Sequence, residues 1–276
     1  MSLPVSVIVL THNEECEIVD CLRMAGEISD DIHVLDSHSS DNTCLYAKKI
    51  GVRIHKNSFT GFGDQRNWAI DHIPTKYEWQ LHLDADERPT PAFIQELARI
   101  LTSDSNLSGY LVPNKLILNN VWLKYSSGYP VYQVRLFHKN RLRFANHGHG
   151  QREIAAGKLG RMKEPYLHYG FSKGIQHWLA KHAKYAQQEA SESIANKQSF
   201  LMSVGQSLSL DSVRRRRGLK SLSHFLPARP LLRFFEILVL RRGILDGSAG
   251  ITYAKMMATY EMMTDVCKSF ESPHKA

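Results

Sequence analysis

Asp84-Ala85-Asp86 sets two carboxylates one residue apart, where an apolar run over residues 78–83 ends. Hard oxygen ligands at that spacing suit Mg²⁺ or Mn²⁺, cations that usually also hold substrate phosphates. The plainer reading is a solvated turn whose acids precede Pro89 and Pro91. The end of a buried strand favours the binding reading, because the crevice of an open α/β sheet lies beyond the carboxyl ends of its strands. A second cluster, Asp36-Ser37-His38-Ser39-Ser40-Asp41, follows residues 31–36. A carboxylate there can accept hydrogen bonds from a base or a ribose. Ser40 and Asp41 read equally well as helix caps. A third polar cluster, Thr11-His12-Asn13-Glu14, closes the run over residues 5–10. His147-Gly148-His149-Gly150-Gln151-Arg152-Glu153 has the glycines of a loop that approaches a ligand closely. A zinc set of His147, His149 and His168 is weak, since no Cys or carboxylate ligand lies nearby in sequence.

These clusters need elements to hold them. Residues 5–10 form a continuous β-branched run, the pattern of a strand buried on both faces. Residues 31–36, 52–55 and 78–83 also read as strands. Helical patterns follow at 18–22, 41–50, 65–73 and 91–101, with Ser40 or Asp41 capping the second and a proline opening the last. Repeated βα units imply a doubly wound, mostly parallel α/β sheet with right-handed crossovers. Residues 109–167 turn mostly to strand, and the chain from 173 is helical. The expected division is a catalytic domain over 1–170 and a helical, basic and apolar region over 171–276.

Composition narrows the class. The chain has 276 residues, enough to bury a sizeable core. Its net charge of +8 is unevenly spread. Residues 1–100 carry 9 Lys/Arg against 16 Asp/Glu, residues 101–199 carry 14 against 5, and residues 200–276 carry 12 against 6. An acidic third joined to a basic remainder argues against a nucleic-acid partner. Cys16, Cys21, Cys44 and Cys267 have no metal or redox spacing and read as reduced thiols. The opening MSLPVSVIVLTHNEE lacks the basic leader of a signal peptide. No stretch approaches the ~20 apolar residues of a spanning helix. A soluble or peripheral protein is expected.

The ordered set VSVIVLTHNEE, DIHVLDSHSSDNT and EWQLHLDADERP resembles the nucleotide-binding half of family-2 glycosyltransferases with the GT-A fold. GFGDQRNWAI (61–70), GHGQRE (148–153), GRMKEPYLHYGFSKG (160–174) and RRGILDGSAGITYAKMMATYE (241–261) resemble the subgroup that builds lipopolysaccharide cores and other envelope glycans. The resemblance implies a metal-dependent, inverting transfer from a nucleotide-diphosphate sugar, with UDP as the expected nucleotide, to a glycan or glycolipid acceptor. By resemblance Thr11, Asn13 and Glu14 line the nucleotide pocket, and Asp36 reads the uracil or ribose with Ser37 and Ser39 beside it. Gln65 and Arg66 meet the diphosphate or sugar. Asp84 also meets the donor, while Asp84, Asp86 and His168 hold Mn²⁺ or Mg²⁺. Inverting transfer needs a base at the acceptor hydroxyl. Glu153, the only carboxylate between Asp104 and Glu164, is the first candidate and His149 the second. Glu153 as an ion pair with Arg152 is the remaining alternative. A nucleotidyltransferase is disfavoured because THNEE has neither Gly nor Lys for a phosphate loop. A non-catalytic membrane or nucleic-acid module would leave the Asp84/Asp86 pair without a role.

The C-terminal region has its own logic. Residues 231–240 (LLRFFEILVL) are apolar nearly all round and bracketed by Arg229, Arg233, Arg241 and Arg242. Ten residues cannot span a bilayer, but apolar bulk with arginine flanks suits an anionic membrane surface. The four-arginine run at 214–217 would add to that attraction. A buried core helix with solvated arginines is the competing reading. The expected location is cytoplasmic, peripheral on the inner face of the membrane.

Overall fold

The structure is a computed structural model and describes residues 2–103, 105–147, 150–195, 200–208 and 228–271. The chain forms two compact units, Met1–Lys124 with Gly128–Gly174, and Tyr125–Ser127 with Ile175–Ala276.

The first unit opens with β1 (Ser6–Thr11), α1 (Ile18–Ile28), β2 (Ile32–Asp36), α2 (Thr43–Ile50), β3 (Arg53–Lys56), α3 (Phe62–His72) and β4 (Trp79–Asp84). It continues with β5 (Glu87–Pro89), α4 (Pro91–Thr102), β6 (Gly109–Leu118), β7 (Val121–Trp122) and β8 (Val131–His138). The hairpin of β9 (Leu142–His147) and β10 (Gly150–Ala155), then β11 (Leu159–Arg161) and β12 (Tyr166–His168), complete it. The main sheet runs β3-β2-β1-β4-β8-β6-β12-β5. Its first four strands are parallel, which puts the ends of β1, β2 and β4 side by side. β8 and β6 then join antiparallel. This is the doubly wound, GT-A-type α/β arrangement that the resemblance implies.

Every residue of β1 is buried, as its apolar run requires. In α1, Ile18, Cys21, Leu22, Ala25 and Ile28 recur at helical spacing and bury one face. They join Val7, Val9, Val34, Leu81, Phe93 and Leu97 in the main core. α3 packs on the other face, with Ala69 and Ile73 against Ile8 and Leu35. Each fully buried aliphatic side chain contributes about 1.5–3 kcal/mol. Thr90 caps α4 by accepting from the Phe93 amide.

Three local expectations differ. α2 begins at Thr43 after Asn42, and neither Ser40 nor Asp41 is its N-cap. Asp41 instead accepts from the amide and hydroxyl of Thr43, one residue inside the helix. α3 starts three residues before the expected Gln65, because its first turn docks on β9. A Cβ on Gly63 would lie 2.8 Å from the Ala145 carbonyl carbon, so only glycine fits there. Residues 231–240 are not one helix but split between two elements of the second unit.

That unit holds α5 (Gly174–Ala195), α6 (Phe200–Ser207), α7 (Arg229–Phe235), a π-helical turn (Glu236–Leu240), a 3₁₀ turn (Gly243–Asp246) and α8 (Gly247–Glu271). Asp246 accepts from the Tyr125 and Ser126 amides and from the Ser126 hydroxyl, so the 125–127 segment is pinned within this unit. Among the described residues, no helix is long and apolar enough to cross a membrane.

Candidate functional site

The polar turns at the ends of β1 and β2 are knitted together. Asn13, at positive φ, donates its amide to the Ser39 hydroxyl (2.8 Å) and accepts from the Ser40 amide (2.8 Å). The Glu14 amide donates to Thr43 Oγ1 at 2.7 Å. Asp36 is buried and takes both the amide and the hydroxyl of Ser39, so the partner it needs lies within its own turn. Gln65 reaches the same loop from α3, donating to Ser37 Oγ at 3.0 Å. Thr11, Asn13, Glu14, Asp36, Ser37, Ser39 and Gln65 thus gather at one end of the parallel strands. Two buried acceptors in this group have no partner, Thr11 Oγ1 and Glu14 Oε2. A buried polar atom left unpaired costs about 1–3 kcal/mol, so such atoms mark places where a ligand has something to satisfy.

Glu14 is held from the far side of the sheet. Lys173, after β12, pairs with its Oε1 at 2.5 Å and donates to the His12 carbonyl at 3.1 Å. Burial pushes the Glu14 carboxyl up to about 7, against the pull of Lys173. The folded state therefore holds this proton to higher pH than the unfolded chain. Stability from this group is fully present below the ordinary value of 4.5 and is lost as pH rises through about 7. Wild type should lose about 3 kcal/mol across that window that Glu14→Gln does not. Urea melts at acidic and mildly alkaline pH measure the difference, and parallel pH profiles for the two proteins would refute the assignment.

At the end of β4 the two aspartates separate. Asp84 turns to two arginines: its Oδ1 meets Arg66 Nη2 at 2.9 Å and its Oδ2 meets Arg135 Nη2 at 2.7 Å. The side chains of Arg66 and Arg135 are 1% and 3% exposed, that of Asp84 29%. Arg135 Nη2 also meets Glu87 Oε1 at 2.6 Å, and Glu87 Oε2 accepts the Asp84 amide. Burial works against the Asp84 carboxylate, but the Arg135 and Arg66 guanidiniums hold it below its usual range. Arg66 also donates Nε to Gln151 Oε1 on β10 (2.9 Å), while its Nη1 is buried without a partner.

Asp86 faces a different group. Its Oδ2 is 3.3 Å from His168 Nε2. Burial opposes charge on that ring, yet Asp86, together with Glu87 and Asp84, lifts the histidine to about 9. Once a cation displaces the ring's proton, one carboxylate and one imidazole, both partly open, fit Mn²⁺ or Mg²⁺, which typically take few protein ligands and complete their shell with phosphate and water. Among the described residues no group of three or more His, Cys, Asp or Glu side chains is placed to hold a metal ion. Asp84, Asp86 and His168 are thus neighbours, but the first is committed to guanidiniums and the other two to each other.

Glu153 lies exposed on β10. Adjacent strand residues point to opposite faces, so Arg152 is not its partner, whereas Gln151 shares its face. Through Gln151 that face connects to Arg66. His149, Gly148 and the 214–217 arginines lie outside the described residues.

Sequence reasoning missed Arg135, Glu87 and Lys173. The signal for Arg135 was an arginine inside the apolar strand VYQVRLFH, where only a buried partner makes it tolerable.

Residues 6–156 match the family model described as Glycosyl transferase family 2. A Rickettsia typhi protein described as an uncharacterized glycosyltransferase is 28% identical over 145 residues, 51% of this chain and 49% of its own length. One from Rickettsia conorii is 25% identical over 200 residues, 68% of this chain and 70% of its own. The lipopolysaccharide core biosynthesis glycosyltransferase LpsC of Rhizobium meliloti is 22% identical over 158 residues, 55% of this chain and 54% of its own. The chain thus spans about half the length of several curated relatives. Glucosyl-3-phosphoglycerate synthase from Mycobacterium tuberculosis, solved with Mn²⁺, UDP and glucosyl-3-phosphoglycerate, gives a TM-score of 0.47 at 18% identity, over 69% of this chain and 79% of that one. That likeness is too loose to carry over any residue role.

Proposed function

The chain belongs to glycosyl transferase family 2, and from that premise we propose that it moves a sugar from a UDP-sugar to a lipopolysaccharide, polysaccharide or glycolipid acceptor, with inversion at the anomeric carbon. The observation that carries this reading is the juxtaposition at the end of β4. The carboxylate–imidazole pair Asp86 with His168, our candidate cation ligands, follows Asp84, which pairs with the buried Arg66, whose Nη1 has no partner. A diphosphate is the ligand that needs both a divalent cation and a guanidinium. Bound there, the cation would offset charge on the departing diphosphate.

The chain's own residues then have separable tasks. Thr11, Asn13, Glu14, Asp36, Ser37 and Ser39 line the nucleoside site, with Asp36 fixed by Ser39 as an acceptor for uracil or ribose. Gln65 and Arg66 orient the diphosphate and sugar. Asp84, held by two arginines, presents a fixed anion to the donor. Glu153 takes the proton of the acceptor hydroxyl as its oxygen attacks the anomeric carbon and the sugar–phosphate bond breaks, with UDP leaving. His149 is the alternative base. The 1–170 stretch does this chemistry in our reading, and 171–276 brings the chain to the cytoplasmic face of a membrane where such acceptors reside.

A screen of nucleotide-sugars for slow hydrolysis in Mn²⁺ or Mg²⁺ tests the proposal without the acceptor. One UDP-sugar should release UDP only when the cation is present. No turnover and no calorimetric binding of any nucleotide-sugar would overturn it.

A further inference from the structure

The second unit carries a surface that no catalytic task uses. Where α7, the π-helical turn and the 3₁₀ turn follow one another, Leu231, Phe235, Val239, Leu240, Ile244 and Leu245 are each 56–79% exposed. Leu231, Phe235 and Val239 are spaced four apart and form one stripe, and Leu240, Ile244 and Leu245 extend it past the turn. Six large apolar side chains this exposed within fifteen residues far exceed the scattered apolar residues of an ordinary surface.

The ridge is firmly built from beneath. Ile237 is fully buried, and Gly243 and Gly250 are packed so closely that a Cβ on either would collide with backbone. Asp246 is tied to Tyr125 and Ser126. The exposed residues are therefore held outward by a fixed scaffold.

Its net charge is positive. Residues 229–245 contain four arginines and one glutamate. Arg229 is largely buried and paired with Glu261 of α8 (3.0 Å), and Glu236 is shared by Arg233 (2.6 Å) and Arg241 (2.5 Å), which leaves a net positive charge there, with Arg242 exposed at the foot of the ridge. An exposed apolar ridge with a net positive border and its one glutamate committed matches the boundary between acyl chains and anionic headgroups. Arginine stems can lie along the apolar zone while their heads reach phosphate.

We propose that this ridge, from Leu231 to Leu245, is the surface by which the protein docks on an anionic lipid bilayer, without spanning it. The proposal deepens the reading of an acceptor held at a membrane and rests on it for its purpose, but its physical basis lies wholly in the second unit.

Flotation of the full chain with vesicles tests it, using phosphatidylcholine alone or mixed with phosphatidylglycerol. Wild type should float with the mixed vesicles, and salt should weaken that binding. Phe235→Asp with Leu240→Asp should lower it on the order of tenfold or more. Arg242→Ala should lower it about fivefold on the mixed vesicles and leave phosphatidylcholine binding unchanged. Phe235→Ser with Leu240→Ser, checked by thermal melting, serves if the aspartates disturb folding. Wild type that floats with neither vesicle, or ridge variants that float as wild type does, would overturn the proposal. So would variants that only convert a dimer to a monomer in light scattering, since the occupant would then be a second copy. UDP-sugar hydrolysis by the same samples separates the two readings: ridge variants should retain it, and its absence in a wild type that floats would strike the catalytic proposal alone.

Discussion

Asp86→Ala is expected to lower cation-dependent turnover by about three orders of magnitude while leaving the melting temperature nearly unchanged. Asp84→Asn is expected to do the reverse in stability, lowering it markedly. The contrast follows from where the two carboxylates sit. Asp86 is partly open and pairs with His168, a ring that is itself partly open and can shed its proton when the carboxylate is removed. Its backbone carbonyl still accepts the Tyr169 amide, which keeps the turn in place. Asp84 lies between Arg66 and Arg135, both almost fully buried, and neutralising it takes from Arg66 its paired carboxylate and leaves Arg135 with Glu87. Mn²⁺ binding in the presence of UDP, followed by electron paramagnetic resonance, should be lost in Asp86→Ala and largely kept in any Asp84→Asn protein that folds. Near-normal turnover by Asp86→Ala would remove the metal assignment. Equal loss of Mn²⁺ from both variants would assign Asp84 to the ligand set beside Asp86.

This division between the two aspartates was not legible in D-x-D spacing, and the reason is instructive. The strand ending at Asp84 was readable, because residues buried on both faces must be apolar throughout. So were β1, β2 and the amphipathic α1, whose periodicities are local properties of the chain. Arg135 was not, since it reaches Asp84 across 51 residues only because β8 adds antiparallel beside β4. Period-2 alternation states that a residue faces the sheet's interior side but not which strand lies next to it. Gln151 meeting Arg66 is the same case over 85 residues. The apolar run 231–240 shows the converse: its composition was plain, but which of its residues face the core was not. Ile237 is core and its neighbours face outward, a split that a π-helical turn imposes and that hydrophobicity alone does not encode.

Arg135→Met should be the most destabilising single change in the first unit, costing about 3–5 kcal/mol in urea unfolding. The arginine, Arg66, Asp84 and Glu87 make a buried set of two positive and two negative charges. Burial already pushes the Glu87 carboxyl up, and the Arg135 guanidinium beside it is the main opposition to that push, with His168 adding to it. Without Arg135, Glu87 either takes up a proton or remains an unpaired anion, and both cost stability. The arginine's side chain also lies over the Tyr166 ring, 5.7 Å from its centroid, so methionine preserves much of that packing while removing the charge. The second half of the test is Arg135→Met with Glu87→Leu. That pair leaves Arg66 with Asp84, a neutral couple, and should recover a substantial part of the lost stability, because replacing a whole buried ion pair by apolar groups is often near neutral. Additive losses in the double variant would mean the arginine acts by packing and not by charge. Recovery of stability without recovery of turnover would assign Arg135 a second task, holding Asp84 in the one orientation from which it meets the donor.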